Sequence, residues 1–152
     1  MKTGVLLAQL GTPDAPTVPA VRRYLAEFLS DRRVVDLPRL LWKPILHGII
    51  LRTRPKRSAA LYARVWTEAG SPLLLHTEAL ARKLDQRLGE DVRVEAGMRI
   101  GNPSLGARLD ALVADGCERL VVLPAYPQYS TATTASVEDA VAWWQAAHRE
   151  AP

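Results

Sequence analysis

Cysteine is almost missing from this sequence, because Cys117 is the only one among 152 residues. A single thiol cannot form a disulfide within the chain, and it cannot supply a metal cage built from several cysteines. This usage is typical of proteins from reducing compartments and predicts a cytoplasmic location.

Long hydrophobic runs are also missing. No apolar stretch reaches the ~18 residues of a membrane-spanning helix. The run at residues 5–10 has no small-residue cleavage site after it, so we interpret it as a strand and not as a signal peptide. The net charge is only +4, and 48% of the residues are hydrophobic. This composition excludes a disordered chain and predicts one packed domain over residues 1–152.

Recognisable catalytic signatures are few. The GTP motif at residues 11–13 has neither the GxxxxGK[ST] nor the GxGxxG spacing, which favours an ordinary strand-to-helix turn. The three histidines are scattered, and none has a carboxylate or a second histidine at ligand spacing; they are His47, His76 and His148. We therefore expect no catalytic residue and no metal ligand in this chain.

Three short apolar runs, at residues 5–10, 92–97 and 120–123, predict β-strands. None of them alternates cleanly, and continuous apolar runs suit parallel strands that are covered on both faces. Helical patterns lie between them, with start signals at Thr17, Ser71, Ser104 and Ser136 and stop signals at Gly89 and Gly116. This alternation predicts an α/β fold with an open, doubly wound, Rossmann-like parallel sheet and flanking helices. Ligands of such sheets bind beyond the carboxyl ends of the strands, here at residues 11–16, 98–104 and 124–136.

Residues 37–51 break this pattern. They read LPRLLWKPILHGIIL from Leu37 to Leu51, and the run RTRPKR at residues 52–57 adds four positive charges. A ligand with an apolar body and carboxylate edges would suit this surface. We predict that residues 37–51 form a mobile lip over a ligand cleft and make a peripheral contact with the membrane. Nucleic acid is disfavoured, because the basic cluster is short and lacks an aromatic stacking platform.

Trp143 and Trp144 are neighbours on the last predicted helix. Adjacent helical positions lie about 100° apart, so only one of the two side chains can pack on this sheet. We expect the other to be left for a partner, which is either further chain or a second copy, and we therefore expect self-association.

Six blocks of sequence, taken together, resemble one known family. They are GVLLAQLGTPDAP at 4–16, AVRRYLAEFLSDRRVV at 20–35, RPKRSAALYARVW at 54–66, GSPLL at 70–74, MRIGNPS at 98–104 and LPAYPQYSTATT at 123–134. Their order and spacing are similar to the N-terminal half of bacterial ferrochelatases, enzymes that insert Fe2+ into a porphyrin in the last step of haem biosynthesis.

The resemblance implies one of two Rossmann-like chelatase domains, with a porphyrin cleft between them. It implies that Leu10 contacts the macrocycle, that Arg52 or Arg54 with Tyr62 and Ser71 hold the propionates, and that Arg99 and Tyr129 line the inner cleft. The proton-accepting His and its Glu partner belong to the absent C-terminal half. Fe2+ is then a substrate handled mainly by that half, and this half binds no cofactor. Protoporphyrin IX is the first choice of porphyrin, although coproporphyrin enzymes share these blocks.

Two positions depart from the family pattern, and two other functions stay open. Ile100 stands where Tyr is frequent, which changes the polar lining of the cleft, and Gln9 stands where Asn is usual, which matters less. The chain could instead be a stand-alone module that binds porphyrin without chemistry. It could also be a small self-sufficient chelatase, but those resemble one another in a His-Gly pair after the first strand, where this chain has Leu10 and Gly11.

Overall fold

The sheet is parallel, open and three-stranded in a computed structural model that describes all 152 residues. Its strands are β1 (Thr3–Thr12), β2 (Val92–Gly101) and β3 (Arg119–Pro124), in the order β2-β1-β3. β1 is central and pairs with β2 from Thr3 to Thr12, but with β3 only as far as Ala8. The predicted parallel α/β sheet is therefore confirmed, and the three strands end at one edge.

Six α-helices connect and flank the strands. They are α1 (Val18–Ser30), α2 (Arg39–Ile45), α3 (Leu51–Val65), α4 (Pro72–Leu88), α5 (Leu105–Ala114) and α6 (Ser136–Ala147). Several predicted boundaries are confirmed. The Ser104 hydroxyl caps α5 by accepting a hydrogen bond from the amide of Ala107 at 3.3 Å, and Gly89, with φ at 86°, ends α4.

Helices cover both faces of β1. On one face Leu6 packs with Leu109 of α5 and Trp144 of α6, and all three are buried. On the other face Leu7 packs with Ala81 of α4 and Ala96 of β2. This two-sided burial explains why β1 is a continuous apolar run and does not alternate.

β3 departs from the expected burial on both faces. Val121 and Leu123 are 37% and 49% exposed, while Leu120 and Val122 are partly buried. Leu123 is the cross-strand neighbour of Leu7, so the exposed pair lies on the same face of the sheet as Leu7. Helix α4 covers this face only over β1 and β2. The prediction of a strand is confirmed, but the prediction of burial on both faces is wrong, because α4 does not extend over the face of β3 that carries Val121 and Leu123.

Residues 39–65, which follow a non-helical stretch after α1, are helical throughout. α2 leads into a π-helical turn (Leu46–Ile50), which leads directly into α3. Leu46 and Leu51 are buried against α1, whereas Leu40 is 90% exposed. Pro44 lies inside α2, so it does not separate this segment into two parts. None of the helices combines the length and the apolar character needed to cross a membrane.

Candidate functional site

The carboxyl ends of β1 and β2 approach each other so closely that only glycine fits. Gly11 has φ at +123°, and a Cβ there would lie 1.8 Å from the carbonyl oxygen of Ile100. Gly101 has φ at +83°, and its Cβ would lie 2.8 Å from the carbonyl oxygen of Thr12. These two glycines let the strand ends form one compact edge.

Leu10 lies at this edge, beyond the part of β1 that pairs with β3. It is half-buried, and the chain of β3 turns away at Ala125, whose amide donates to the carbonyl of Ala8 at 2.8 Å. The Gln9 side chain holds the turn, because its Oε1 accepts from the amide of Leu10 at 2.9 Å and its Nε2 donates to the carbonyl of Ala125 at 3.4 Å. Leu10 therefore presents a partly open apolar side chain at a fixed place.

Ser71 is buried immediately before α4. Its Oγ accepts a hydrogen bond from Oγ1 of Thr12 at 2.8 Å and does not cap the helix. This contact ties the start of α4 to the end of β1. Ser71 also lines a cavity of ≈ 450 Å³ together with Trp66, Leu74 and Pro103.

Tyr62 belongs to a row of aromatic rings. The ring centroids of Phe28 and Tyr24, of Tyr24 and Tyr62, and of Tyr62 and Trp66 are 6.0, 6.2 and 6.3 Å apart. The Tyr24 hydroxyl donates to the carbonyl of Gly11 at 3.3 Å, which links the row to the strand edge. Burial raises the pKa of Tyr62, and burial and then Tyr62 raise the pKa of Tyr24. Both phenols therefore stay protonated and can donate.

Arg52 and Arg54 are exposed on α3, as are the nearby Lys56 and Arg57. No salt bridge within the chain involves any of these four side chains. Exposed apolar residues precede them on the same helical segment, among them Leu41 and Ile49, at 66% and 61% exposure. The expected basic cluster beside an apolar surface is therefore present.

Arg99 is largely engaged within the chain. Its Nη2 lies 2.8 Å from Oδ2 of Asp31, and its Nε donates to the carbonyl of Ser136 at 2.9 Å. The side chain is only 11% exposed. Arg99 thus lies near the strand ends, as expected, but most of its hydrogen-bonding capacity is used internally.

Tyr129 is 65% exposed on the connection between β3 and α6. A π-helical turn (Thr131–Ala135) follows it, and the carbonyl of Ser130 accepts from the amide of Thr133 at 3.2 Å. Tyr126, in the same connection, has a buried hydroxyl without a hydrogen-bond partner, and burial raises its pKa to about 12. This connection therefore contains a helical turn and one phenol, that of Tyr126, which burial keeps protonated.

Sequence reasoning missed Asp31 and Ser136, which hold Arg99 and bind each other. No local pattern reveals them, because 68 residues separate Asp31 from Arg99. His148 gains a carboxylate neighbour that no sequence spacing reveals, since its Nε2 lies 3.3 Å from Oδ1 of Asp110. This pair lies at the far end of α6 from Ser136. The structure contains no group of three or more His, Cys, Asp and Glu side chains that could hold a metal ion.

Comparison with known proteins agrees with the sequence blocks. A sequence model of the ferrochelatase family matches residues 2–152. The chain is 58% identical to a ferrochelatase of Methylibium petroleiphilum, and the match covers 99% of this chain and 42% of that protein. It is likewise 58% identical to a ferrochelatase of Polaromonas sp. with the same coverage. A protein named ferrochelatase 2 of Shewanella oneidensis is 58% identical over 93% of this chain and 44% of its own length.

The matches cover nearly all of this chain but less than half of each relative. The chain spans about two fifths of the length of these curated relatives. The family model nevertheless covers almost every residue of the chain. With its parallel sheet and the predicted motifs at the strand ends, the chain belongs to the ferrochelatase family.

Proposed function

We propose that this chain is the N-terminal, porphyrin-binding domain of an enzyme that inserts Fe2+ into a porphyrin in the last step of haem biosynthesis. The observation that carries this proposal is the unpaired basic cluster on α3, which adjoins an exposed apolar surface. Protoporphyrin IX is a flat apolar ring with carboxylates on one side, and it needs both kinds of surface.

The ligand contacts follow from this arrangement. Leu10 contacts the face of the macrocycle at the end of β1. Arg52 and Arg54 hold its carboxylates by charge-assisted hydrogen bonds, which are the stronger class of hydrogen bond in proteins. Tyr62 donates a hydrogen bond to the same carboxylates. Ser71 can also donate, because its oxygen accepts from Thr12 and its own proton has no acceptor in the chain.

The chemistry is divided between this chain and the remainder of the enzyme. Metal insertion requires a base that takes the pyrrole protons while Fe2+ enters. Binding energy from the carboxylates and the apolar walls supplies the distortion of the ring. This chain provides the binding surface, and we assign the proton-accepting groups and the handling of Fe2+ to the remainder. In this proposal the chain binds no cofactor of its own.

Three further properties belong to the same proposal. Residues 37–51 form the lip of the cleft and touch the membrane interface, where porphyrins partition. The preferred ligand is protoporphyrin IX. Trp143, at 64% exposure, contacts the remainder of the enzyme or a second copy of the chain.

The test is the affinity of the chain for protoporphyrin IX, measured by quenching of tryptophan fluorescence. The double variant Arg52→Ala/Arg54→Ala should bind at least about tenfold more weakly, because a hydrogen bond to a charged group contributes ~1.5–3 kcal/mol. The matched control is Lys83→Ala/Arg87→Ala, which removes two exposed cations from α4 and should leave the affinity unchanged. Equal affinities of wild type and the α3 variant would reject the proposed carboxylate site.

A further inference from the structure

A buried ion pair lies near the carboxyl end of β2. The Asp31 side chain is 4% exposed and that of Arg99 is 11% exposed. The Asp31 Oδ2 accepts hydrogen bonds from Arg99 and from the hydroxyl of Ser136, and its Oδ1 accepts from the amide of Arg33 at 2.8 Å. One carboxylate therefore joins the end of α1 to β2 and to the first residue of α6.

The guanidinium of Arg99 makes two further contacts within the chain. Its Nε donates to the carbonyl of Ser136 at 2.9 Å, and its carbon lies 5.8 Å from the ring centroid of Trp143. Only Nη1 forms no hydrogen bond within the chain. Because the pair is shielded from water, the two opposite charges act on an outside anion almost as one neutral unit.

A more exposed ion pair supports the same junction. Arg33 binds Asp139 through two parallel contacts, Nε to Oδ2 at 2.7 Å and Nη2 to Oδ1 at 3.0 Å. Asp139 lies one turn after Ser136 on α6. We call Asp31, Arg33, Arg99, Ser136 and Asp139 the clasp. The clasp fixes the start of α6, and with it the connection that carries Tyr129.

We propose that Asp31 is a specificity-determining residue, which neutralises Arg99 so that a ligand's carboxylates bind to Arg52 and Arg54 and not at the end of β2. The inference rests on the proposed function, since it takes a porphyrin with carboxylates as the ligand. Without Asp31, the carboxylates would have two competing cationic sites, the pair on α3 and Arg99, and the macrocycle would have two orientations. Because Asp31 cancels the attraction of Arg99 for these carboxylates, the macrocycle binds in a single orientation, as specificity requires.

The variant Asp31→Asn tests this assignment, because asparagine keeps the shape and an acceptor oxygen but removes the charge. The measured quantity is the ratio of the affinity for protoporphyrin IX to the affinity for its dimethyl ester, which lacks the carboxylates. A freed guanidinium gains one charge-assisted hydrogen bond, so the ratio should rise about tenfold over wild type. An unchanged ratio in a folded variant would overturn the assignment.

The double variant Asp31→Asn/Arg99→Gln serves as the matched control and is decisive if the single variant does not fold. It removes both charges, leaves two amides that can hydrogen-bond and buries no unpaired ion. We expect its ratio to stay within about twofold of wild type, since the uncharged amides replace a pair that was already neutral to an outside anion. A tenfold fall would show that Arg99 binds a carboxylate directly and would overturn the assignment. Wild-type chain that fails to bind protoporphyrin IX would overturn the proposed function, whereas binding with the wrong ratios would overturn the role of Asp31 alone.

Discussion

Gly11 has the least freedom to change among the residues of the strand edge. Its φ of +123° lies in a region that side chains with a Cβ rarely adopt, and the carbonyl oxygen of Ile100 occupies the place of a Cβ. The oxygen belongs to the backbone of β2, so it cannot move without disturbing the sheet. Gly48, in contrast, has nothing within 4 Å of an added Cβ and lies in the π-helical turn.

The variant Gly11→Ala should lower the free energy of unfolding by about 3 kcal/mol, because the strained backbone and the clash add to one another. Urea denaturation followed by circular dichroism measures this change. The control Gly48→Ala should be neutral or stabilising by up to about 1 kcal/mol, since alanine favours helix over glycine. Equal stability of the two variants would contradict the close approach of β1 and β2.

The Asp139 carboxylate should make stability depend on pH. Its hydrogen bonds with Arg33 lower its pKa in the folded protein below the ordinary value. A carboxylate with a lowered folded-state pKa stabilises the fold above its unfolded pKa of about 3.9, and this contribution is lost as the pH falls toward the lowered value. Thermal melting of Asp139→Asn should therefore show a small loss of stability at pH 7 that disappears on acidification. A loss of stability that persists at low pH would show that the substitution acts through packing and not through the charge of Asp139.

At the scale of elements, the helical segment from α2 to α3 has an anchored part and an unanchored part. α2 contains no buried residue, although Trp42 donates its Nε1 hydrogen to the carbonyl of Leu29 at 2.7 Å. The π-helical turn and the start of α3 are anchored by the buried Leu46 and Leu51. The expected lip therefore has a fixed base next to the basic cluster.

Hydrogen exchange should reveal this division. Amides of α2 should exchange before those of α3, because local opening is easiest where few apolar contacts are lost. Protoporphyrin IX should slow the exchange of α2 if this helix lies over the ligand. Helix α5, which buries Leu105, Leu109 and Leu112, serves as the internal reference. Uniform exchange of α2 with and without porphyrin would contradict the lip.

At the scale of the whole molecule, the sheet is not evenly covered. Val121 and Leu123 of β3 and Trp143 of α6 are exposed, whereas Trp144 is only 8% exposed. The prediction that one tryptophan packs and the other points away is confirmed. An edge strand with exposed apolar side chains favours pairing with more chain.

The chain by itself should therefore self-associate. Sedimentation should show a molecular mass that rises with protein concentration, and Leu123→Lys should shift the equilibrium toward monomer, because a charge on this face must be desolvated in any contact. The control Leu88→Lys changes another half-exposed leucine, at the end of α4, and should have less effect. A monomer at all concentrations would show that the β3 surface needs no partner.

Iron insertion should require more than these 152 residues. Anaerobic incubation of the chain with Fe2+ and protoporphyrin IX, followed by the Soret band, should show binding without turnover, since a proton acceptor is needed for insertion. A full-length ferrochelatase from the same family is the positive control. Turnover at a rate comparable to that control would reject the proposal that the remainder of the enzyme supplies the proton acceptor. Binding without turnover even after the remainder of the enzyme is added would favour a module that binds porphyrin without chemistry.

Local chemistry was enough to predict much of the fold. The apolar runs of β1 and β2, the start of α4 at Pro72 and its stop at Gly89 depend on neighbours within a few residues, so they can be read from sequence. The same holds for the basic cluster of α3, whose charges are adjacent in the chain. The helical state of residues 39–50 was not predicted, because Pro44 disfavours a helix interior. Packing of Leu46 and Leu51 on α1 fixes only the part of the segment that follows Pro44.

Tertiary structure alone decided which distant residues meet. The sequence by itself determined an α/β sheet, a family, the loops at the strand ends and a basic cluster beside an apolar segment. It did not determine that β3 would be an edge, that His148 would meet Asp110, or that Asp31 would neutralise Arg99. Each of these depends on side chains that are dozens of residues apart and are brought together only by the order of the strands and the packing of α1 and α6. The charge available to a ligand is set by such pairs, so the list of cations in the sequence differs from the list of cations that can bind.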